Sequence, residues 1–247
     1  MSPQEKSINP HISVDCVIFG FRDTRLKVLL IEREYFDSEG LPHRDYKLPG
    51  DFPAPGEDLD MAAYRTLEEL TGLRDIYLKQ YAVFGKPDRL SASIDRNWLY
   101  ATTGHRIERV VSSAYFALVS IPETERVQKM HSRTKWTDLK TIPKLAFDHN
   151  DIIDTGYRHL QEIIRYEPIG FELLPEKFTL RQLQNVYEGI LDCKLDNRNF
   201  RKKALKASYL EQLDEKQRGV AHKPAHFYHF NRMKYEKSRK NFYGFHF

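Results

Sequence analysis

In the first half of the chain, apolar residues come in short β-branched runs with one helical interruption. Val14 to Phe19 (VDCVIF) and Leu26 to Glu32 (LKVLLIE) read as two strands joined by a tight turn. A polar loop follows and ends in Leu48-Pro49-Gly50. From Leu59 to Leu70 the period changes: Leu59, Ala62, Ala63, Leu67 and Leu70 recur near 3.6 residues, which predicts a helix stopped at Thr71-Gly72. Tyr81 to Phe84 and Arg109 to Ile121 predict further strands, and Asp151 to Tyr166 a further helix. No regular βαβ repeat is present, so the pattern points to an α/β/α sandwich with a mixed sheet rather than a doubly wound one.

The Pro168/Gly170 pair breaks that helix and divides the chain into residues 1–167 and 171–247, each with its own apolar pattern and each expected to fold alone. In the second part, Thr179 and Gln182 stand three apart as a capping box, and Phe178 can staple onto Leu183. That helix is expected to run to Leu191, and a second from Asp196 through Ser208. Tyr209–Leu213 and Ala225–Phe230 then predict two strands around a polar turn at Gln217-Arg218-Gly219. Helix, helix, strand, turn, strand is a winged-helix layout.

Composition sharpens this division. The 247 residues are 40 % apolar and 30 % charged, enough for a real core under a solvated surface. Net charge is +4, unevenly spread: residues 171–247 hold 16 Lys/Arg against 9 Asp/Glu, and the rest holds 23 against 26. An acidic-to-neutral body with a basic module fits a nucleic-acid partner. The two cysteines, Cys16 and Cys193, cannot form a structural zinc site by themselves. No signal peptide or membrane-length apolar run is visible, so a cytoplasmic protein without a membrane partner is expected.

The segment Gly50–Leu73 (GDFPAPGEDLDMAAYRTLEELTGL) resembles the Nudix box. Anchored on Gly72-Leu73, the pattern places Arg65 on the box arginine, Leu67 on its apolar site, Glu69 on the first of the paired glutamates and Glu57 on the early glutamate. Three positions depart: Asp51 replaces the box glycine, Thr66 the glutamate after the arginine, and Leu70 the second paired glutamate. In Nudix hydrolases those glutamates share one helix face and hold divalent metal against a pyrophosphate. Magnesium requires several hard oxygens there. With one carboxylate left of three on that face, neither a metal nor another cofactor is expected, and the concave site is left as a sensor pocket. The alternative is an active hydrolase of nucleoside diphosphate derivatives such as ADP-ribose, with Glu57 and Glu69 as unconventional metal ligands.

In Leu195 to Leu210 (LDNRNFRKKALKASYL), Phe200, Ala204 and Ala207 can face a core, while Arg198, Arg201 and Lys202 share another face flanked by Lys203 and Lys206. Asn197 and Asn199 fall in the first turn, where recognition helices meet bases. Arg218, His222 and Lys223 would form the wing. An RNA-binding role is less well served, because no aromatic stacking platform accompanies the basic face.

Taken together, the chain resembles the Nudix-related transcriptional regulators, which join a degenerate Nudix domain to a C-terminal winged helix. The resemblance rests on the box, Ala146-Phe147-Asp148-His149, Glu167-Pro168-Ile169-Gly170-Phe171, Phe178–Gln184 and Arg198-Asn199-Phe200-Arg201-Lys202. It implies a homodimer on near-palindromic operator DNA, acting as a repressor that senses either ADP-ribose-type nucleotides or pentose sugars. Arg65-x-Leu67-x-Glu69-Leu70-Thr71-Gly72-Leu73 with Arg109-Val110-Val111-Ser112 leans toward the sugar branch. Effector candidates are Arg33, Glu57, Arg65, Glu69, Asp88, Arg89, Asp148 and His149, and Leu90–Glu108 reads as an insertion whose Trp98 and Tyr100 serve either a lid or a dimer interface.

Overall fold

The computed structural model describes residues 7–22, 24–37, 39–72, 74, 76–121, 133–219 and 223–240. Leu73, at the end of the box, and His222, expected in the wing, lie outside the described residues. Strands β1 (Ile12–Arg22), β2 (Arg25–Phe36), β3 (Pro42–Lys47), β4 (Gly50–Asp51), β5 (Tyr77–Phe84), β6 (Val111–Val119) and β7 (Thr134–Asp138) form one mixed sheet. Its order is β3-β2-β1-β6-β5, with β4 paired to β1 and β7 to β2. β1 and β6 run parallel from Ile12 opposite Val111 to Gly20 opposite Val119, and the other pairs are antiparallel. The short polar strands β3 and β7 were not legible in the apolar pattern, because they sit on the outer side of β2 and carry half-exposed side chains.

The two-residue period of β1 sorts its side chains into two layers. Val14, Cys16 and Ile18 meet Ala62, Ala63 and Leu67 of helix α1 (Leu59–Thr71). Val17 and Phe19 point the other way, onto Ile152 and Leu160 of helix α3 (His149–Ile163). Helix α1 is capped at its start by Asp58, whose carboxylate accepts from the Met61 N–H at 2.7 Å. It ends at Gly72 in the left-handed region (φ 64°), where the missing Cβ removes the steric cost. Cys16 and Cys193 are free thiols. Among the described residues, no helix is long and apolar enough to cross a membrane.

The expectation of two separately cored units is corrected by the second helical layer. Helix α4 (Leu180–Leu191), the first helix of the C-terminal module, packs Val186 and Ile190 into the same core as Val17, Phe19, Val28 and Leu30. Ile169 and Leu173 of the 3-10 turn Ile169–Leu173 fill the space between. Two carbonyl bonds fix α4 on α3: Tyr157 Oη and Gln161 Nε2 both donate to the Ile190 carbonyl at 2.9 Å. Gly189 lets β1 come close, since a Cβ there would lie 2.5 Å from the Phe21 ring.

The other side of α4 belongs to the winged helix. Leu180 and Leu183 pack with Phe178 and Tyr228, and helix α5 (Asn197–Ala204) leans on them through half-buried Phe200 and Ala204. The hairpin β8 (Leu210–Lys216) and β9 (His226–Phe230) closes the module, followed by a helix α6 (Arg232–Lys240) that the apolar pattern had not indicated. The capping box is formed: Thr179 Oγ1 accepts from Gln182 N, and Gln182 Oε1 accepts from Thr179 N. Helix α5 stops at Ala204 rather than Ser208. The chain turns there so that Tyr209 can pack edge-on against Phe171 and Phe230.

Candidate functional site

Strand β1 and the turn after β3 border a small, partly open cavity of about 120 Å³. Its floor is built from β1 and the turn after β3. Asp15 stands near the start of β1 and is nearly buried, accepting from Ser112 Oγ of the neighbouring strand. Gly50 passes so close that a Cβ would lie 2.3 Å from Asp15 Oδ1, so this position requires glycine. Lys47 extends from β3 to donate to the carbonyls of Leu48 (3.1 Å) and Gly50 (3.4 Å). Burial pushes the Lys47 ammonium below its ordinary range, and the facing carboxylates Asp15 and Asp51 partly offset this.

One wall is the start of α3. Arg89, 7 % exposed, donates to Asp148 at 2.8 Å and lies 3.6 Å from Asp15. His149 is buried beside them. The Leu48 N–H donates to His149 Nδ1 at 2.8 Å, so that nitrogen is unprotonated and the ring proton sits on Nε2, 3.5 Å from Asp15 Oδ1. Burial holds the imidazole at about 4, against the pull of Asp15 in the opposite direction.

This depressed value has a stability consequence. The unfolded chain binds a proton on His149 below about pH 6.5, and the folded chain resists until about pH 4. Stability is therefore expected to be complete above pH 6.5 and to fall through that window by on the order of 3 kcal/mol, flattening below it. Urea denaturation of wild type and His149→Gln between pH 7.5 and 4 checks this. The glutamine can still accept from Leu48 but cannot titrate, so its profile should lose this component. Parallel profiles would remove His149 as the cause.

The roof is the insertion. Residues 93–103 form helix α2 (Ser93–Thr103), which seats Leu99 and Thr103 inward and lays Trp98 over the cavity. The structure thus brings Trp98 to the cleft. Arg33 of β2 lies beneath, its side chain 1 % exposed. Its Nε and Nη2 donate to Asp45 of β3, and its Nη1 donates to Asp95 of α2 at 2.7 Å. Tyr35, Trp98 and Phe147 surround the guanidinium at 5.2–5.5 Å from their ring centroids. Burial disfavours the Arg33 charge, but its hydrogen bonds to the carboxylates of Asp45 and Asp95 more than compensate and hold its pKa above the ordinary value. Outside this wall a second, open groove of about 510 Å³ carries Arg33, Asp88 and Asp95.

The expected effector residues therefore separate into two groups. Arg89 and His149 line the inner cavity, and Arg33, Asp88 and Asp148 line the outer groove, which Arg89 also borders. Glu57, Arg65 and Glu69 gather instead around the Arg65 guanidinium beside β4. Arg65 donates to Glu57 at 2.8 Å and to Asp51 at 2.8 Å, and lies 3.6 Å from Glu69. The hydrogen bond to Glu57 is the main reason the Arg65 pKa is raised, and the same bond lowers that of Glu57. Thr66 is buried and donates to the Ala62 carbonyl at 2.8 Å. Asp15 and Lys47 were missed by sequence reasoning. Each had a signal: Asp15 is a carboxylate inside an apolar strand, and Lys47 precedes Leu48-Pro49-Gly50.

At the other end of the molecule, Asp196 caps α5 by accepting from the Asn199 N–H at 2.7 Å. Asn197, Arg198, Asn199, Arg201, Lys202 and Lys203 are all exposed on this helix. Lys206 is exposed just beyond it, and Arg218 and Lys223 are exposed in the hairpin connection. Among the described residues, none of Arg198, Arg201, Lys202 and Lys203 is paired with a carboxylate, so the basic face is free for phosphates and bases.

Comparison with known proteins covers both halves. Residues 9–155 match the NUDIX domain, and residues 170–230 match the NrtR DNA-binding winged helix domain. The chain is 30 % identical over 233 residues to the ADPR responsive transcriptional repressor NtrR of Acinetobacter baylyi, spanning 92 % of this chain and 85 % of that one. It is also 30 % identical over 146 residues to the ADP-ribose pyrophosphatase of Methanocaldococcus jannaschii, spanning 59 % of this chain and 72 % of that one. The crystal structure of Shewanella oneidensis NrtR complexed with a 27mer DNA superposes with a TM-score of 0.74 at 27 % identity, covering 91 % of this chain and 95 % of that one.

Proposed function

The chain belongs to the NrtR-type, Nudix-related transcriptional regulators, and on that premise we propose that it is a repressor whose hold on operator DNA is set by a small metabolite in the lidded Nudix cleft. The observation that carries this reading is the pairing, in one chain, of a basic recognition helix, free of carboxylate partners among the described residues, with a small cavity of apolar walls and a few charged groups. The Nudix box serves shape rather than chemistry. Thr66 turns its hydroxyl into the helix, Leu70 offers no oxygen, and Asp51, Glu57 and Glu69 all engage Arg65. Pyrophosphate cleavage needs carboxylates free to hold divalent metal.

For the effector, the name of the Acinetobacter relative favours ADP-ribose. A second reading, a pentose, is favoured by the size of the cavity. Pockets for drug-sized ligands measure about 300–1,000 Å³, whereas a cavity of ~150 Å³ holds a single six-membered ring. The cavity of about 120 Å³ is nearer the second kind. Carboxylates, a lysine and an indole face also suit a neutral polyol. The DNA-bound form is proposed to be a homodimer, since winged-helix readers of paired half-sites match their symmetry to the operator.

A gel shift on the DNA upstream of the gene, with ADP-ribose, ADP and pentoses added in turn, tests the function. One of these is expected to release the DNA, and the same compound at 100 times its Kd should raise folding stability by about 2.7 kcal/mol. Turnover of ADP-ribose with magnesium or manganese should stay at background. Release by none of them, together with metal-dependent hydrolysis lost in Glu69→Gln, would replace the repressor reading by the hydrolase one.

A further inference from the structure

Helix α2 does more than roof the cavity, because one of its side chains occupies an arginine that a ligand could use. Asp95 lies in the first turn of α2, yet it is 5 % exposed and reaches down to Arg33 Nη1. Its other oxygen accepts from the Phe147 N–H at 3.3 Å. A single carboxylate thus ties α2 both to β2 and to the loop before α3. We propose that Asp95 sets the charge class of the effector: while it holds Arg33 the cleft admits a neutral ligand, and an anionic ligand must take its place on the guanidinium. The inference rests on the reading of this cleft as the effector site.

The argument is electrostatic and geometric. Arg33, Asp45 and Asp95 together carry a net charge of −1 at the wall of the outer groove, with three aromatic rings packed around the guanidinium. A phosphate arriving beside them would add like charge in a poorly screened setting. Most of the other cations are already engaged: Arg89 is held by Asp148, Lys86 lies 3.6 Å from Asp151 and Lys47 donates to carbonyls, while His149 is neutral; Lys144 also borders the outer groove. Exchange is different. If a phosphate replaces Asp95 on Arg33, one anion is traded for another, and the planar guanidinium suits a phosphate as well as a carboxylate.

Space agrees with charge. The inner cavity and the outer groove share Arg89 and Phe147 in their walls, and α2 lines both, with Trp98 and Leu99 inside and Asp95 outside. Moving Asp95 off Arg33 opens the partition at its charged point. A pentose needs only the inner space of about 120 Å³, whereas a nucleoside diphosphate needs the adjoining groove of about 510 Å³ as well.

The test is calorimetric titration of the full chain and of Asp95→Asn with ADP-ribose, inorganic pyrophosphate and a pentose panel. The asparagine keeps the shape and an acceptor for Phe147 N–H while removing the charge. Binding of ADP-ribose and of pyrophosphate is expected to tighten at least tenfold, and that of any pentose to change by less than threefold. Unchanged or weaker binding of both anions by the folded variant, or no binding of either by both proteins, overturns the proposal. The repressor reading survives that result if a pentose still releases operator DNA. Should the variant fail to fold, wild-type hydrogen exchange decides. With saturating ADP-ribose, amides of residues 93–103 are expected to exchange faster, and unchanged or slower exchange there overturns the proposal.

Discussion

A fragment ending at Glu167 is expected to lose cooperative folding, although it contains every strand of the sheet. Cutting there removes Ile169, Leu173, Val186 and Ile190 from the core they share with Phe19, Val28 and Leu30. Burying one such side chain contributes about 1.5–3 kcal/mol, so four contribute roughly 6–12 kcal/mol. A domain of this kind has a net stability of about 5–15 kcal/mol in total. The fragment also loses both bonds to the Ile190 carbonyl, from Tyr157 and Gln161. Circular dichroism melts of the fragment and of the full chain check this. A fragment that unfolds cooperatively within a few degrees of the full chain would show that α4 is dispensable to the sandwich. Ile190→Ala in the intact chain is the gentler version, with an expected loss of about 2–5 kcal/mol.

The second large effect is expected at the recognition helix. Arg198 and Arg201 are exposed and have no carboxylate partner among the described residues, so their replacement by alanine should leave stability within about ±0.5 kcal/mol. On operator DNA each should weaken binding. If the side chain meets a guanine edge in bidentate fashion, the loss is about 1–3 kcal/mol, roughly 5- to 150-fold, and is confined to one base position. If it meets only phosphate, the loss is uniform across sequences and the salt slope falls by about one. Gel shifts at several salt concentrations separate the two. Wild-type binding by both variants, at every salt concentration, would take α5 out of the interface.

The shared core gives these two expectations a common cause. Helix α4 shows one face to the sheet through Val186 and Ile190 and another to α5 through Leu183 and Tyr187. Helix α3 begins at the cleft with Asp148 and His149 and ends against α4. A change around His149 therefore has a continuous packed route to the helix that carries Arg198. Because packed cores switch between discrete arrangements rather than deform freely, such a route can carry a signal only as a shift of whole helices.

Local signals were readable in the sequence wherever the physics is local. The β-branched run Val14–Phe19, the period in Leu59–Leu70 and the capping residues Gly72, Thr179, Gln182 and Asp196 each act within a few residues, and the structure has them where they were expected. The altered box at Asp51, Thr66 and Leu70 was likewise legible, since it is a matter of spacing along one short segment of chain. Tertiary structure decided what depends on residues far apart in the chain. Asp95 meets Arg33 across 62 positions, and Ser112 meets Asp15 across 97. Strands β3 and β7 exist because β2 offers its edge, not because their polar sequences favour extension. The insertion became a roof because Leu99 and Trp98 found an apolar cavity to close. Nothing in the apolar pattern of Leu180–Leu191 distinguished a helix with its own small core from one serving two, because a helix face records that it is buried but not by what.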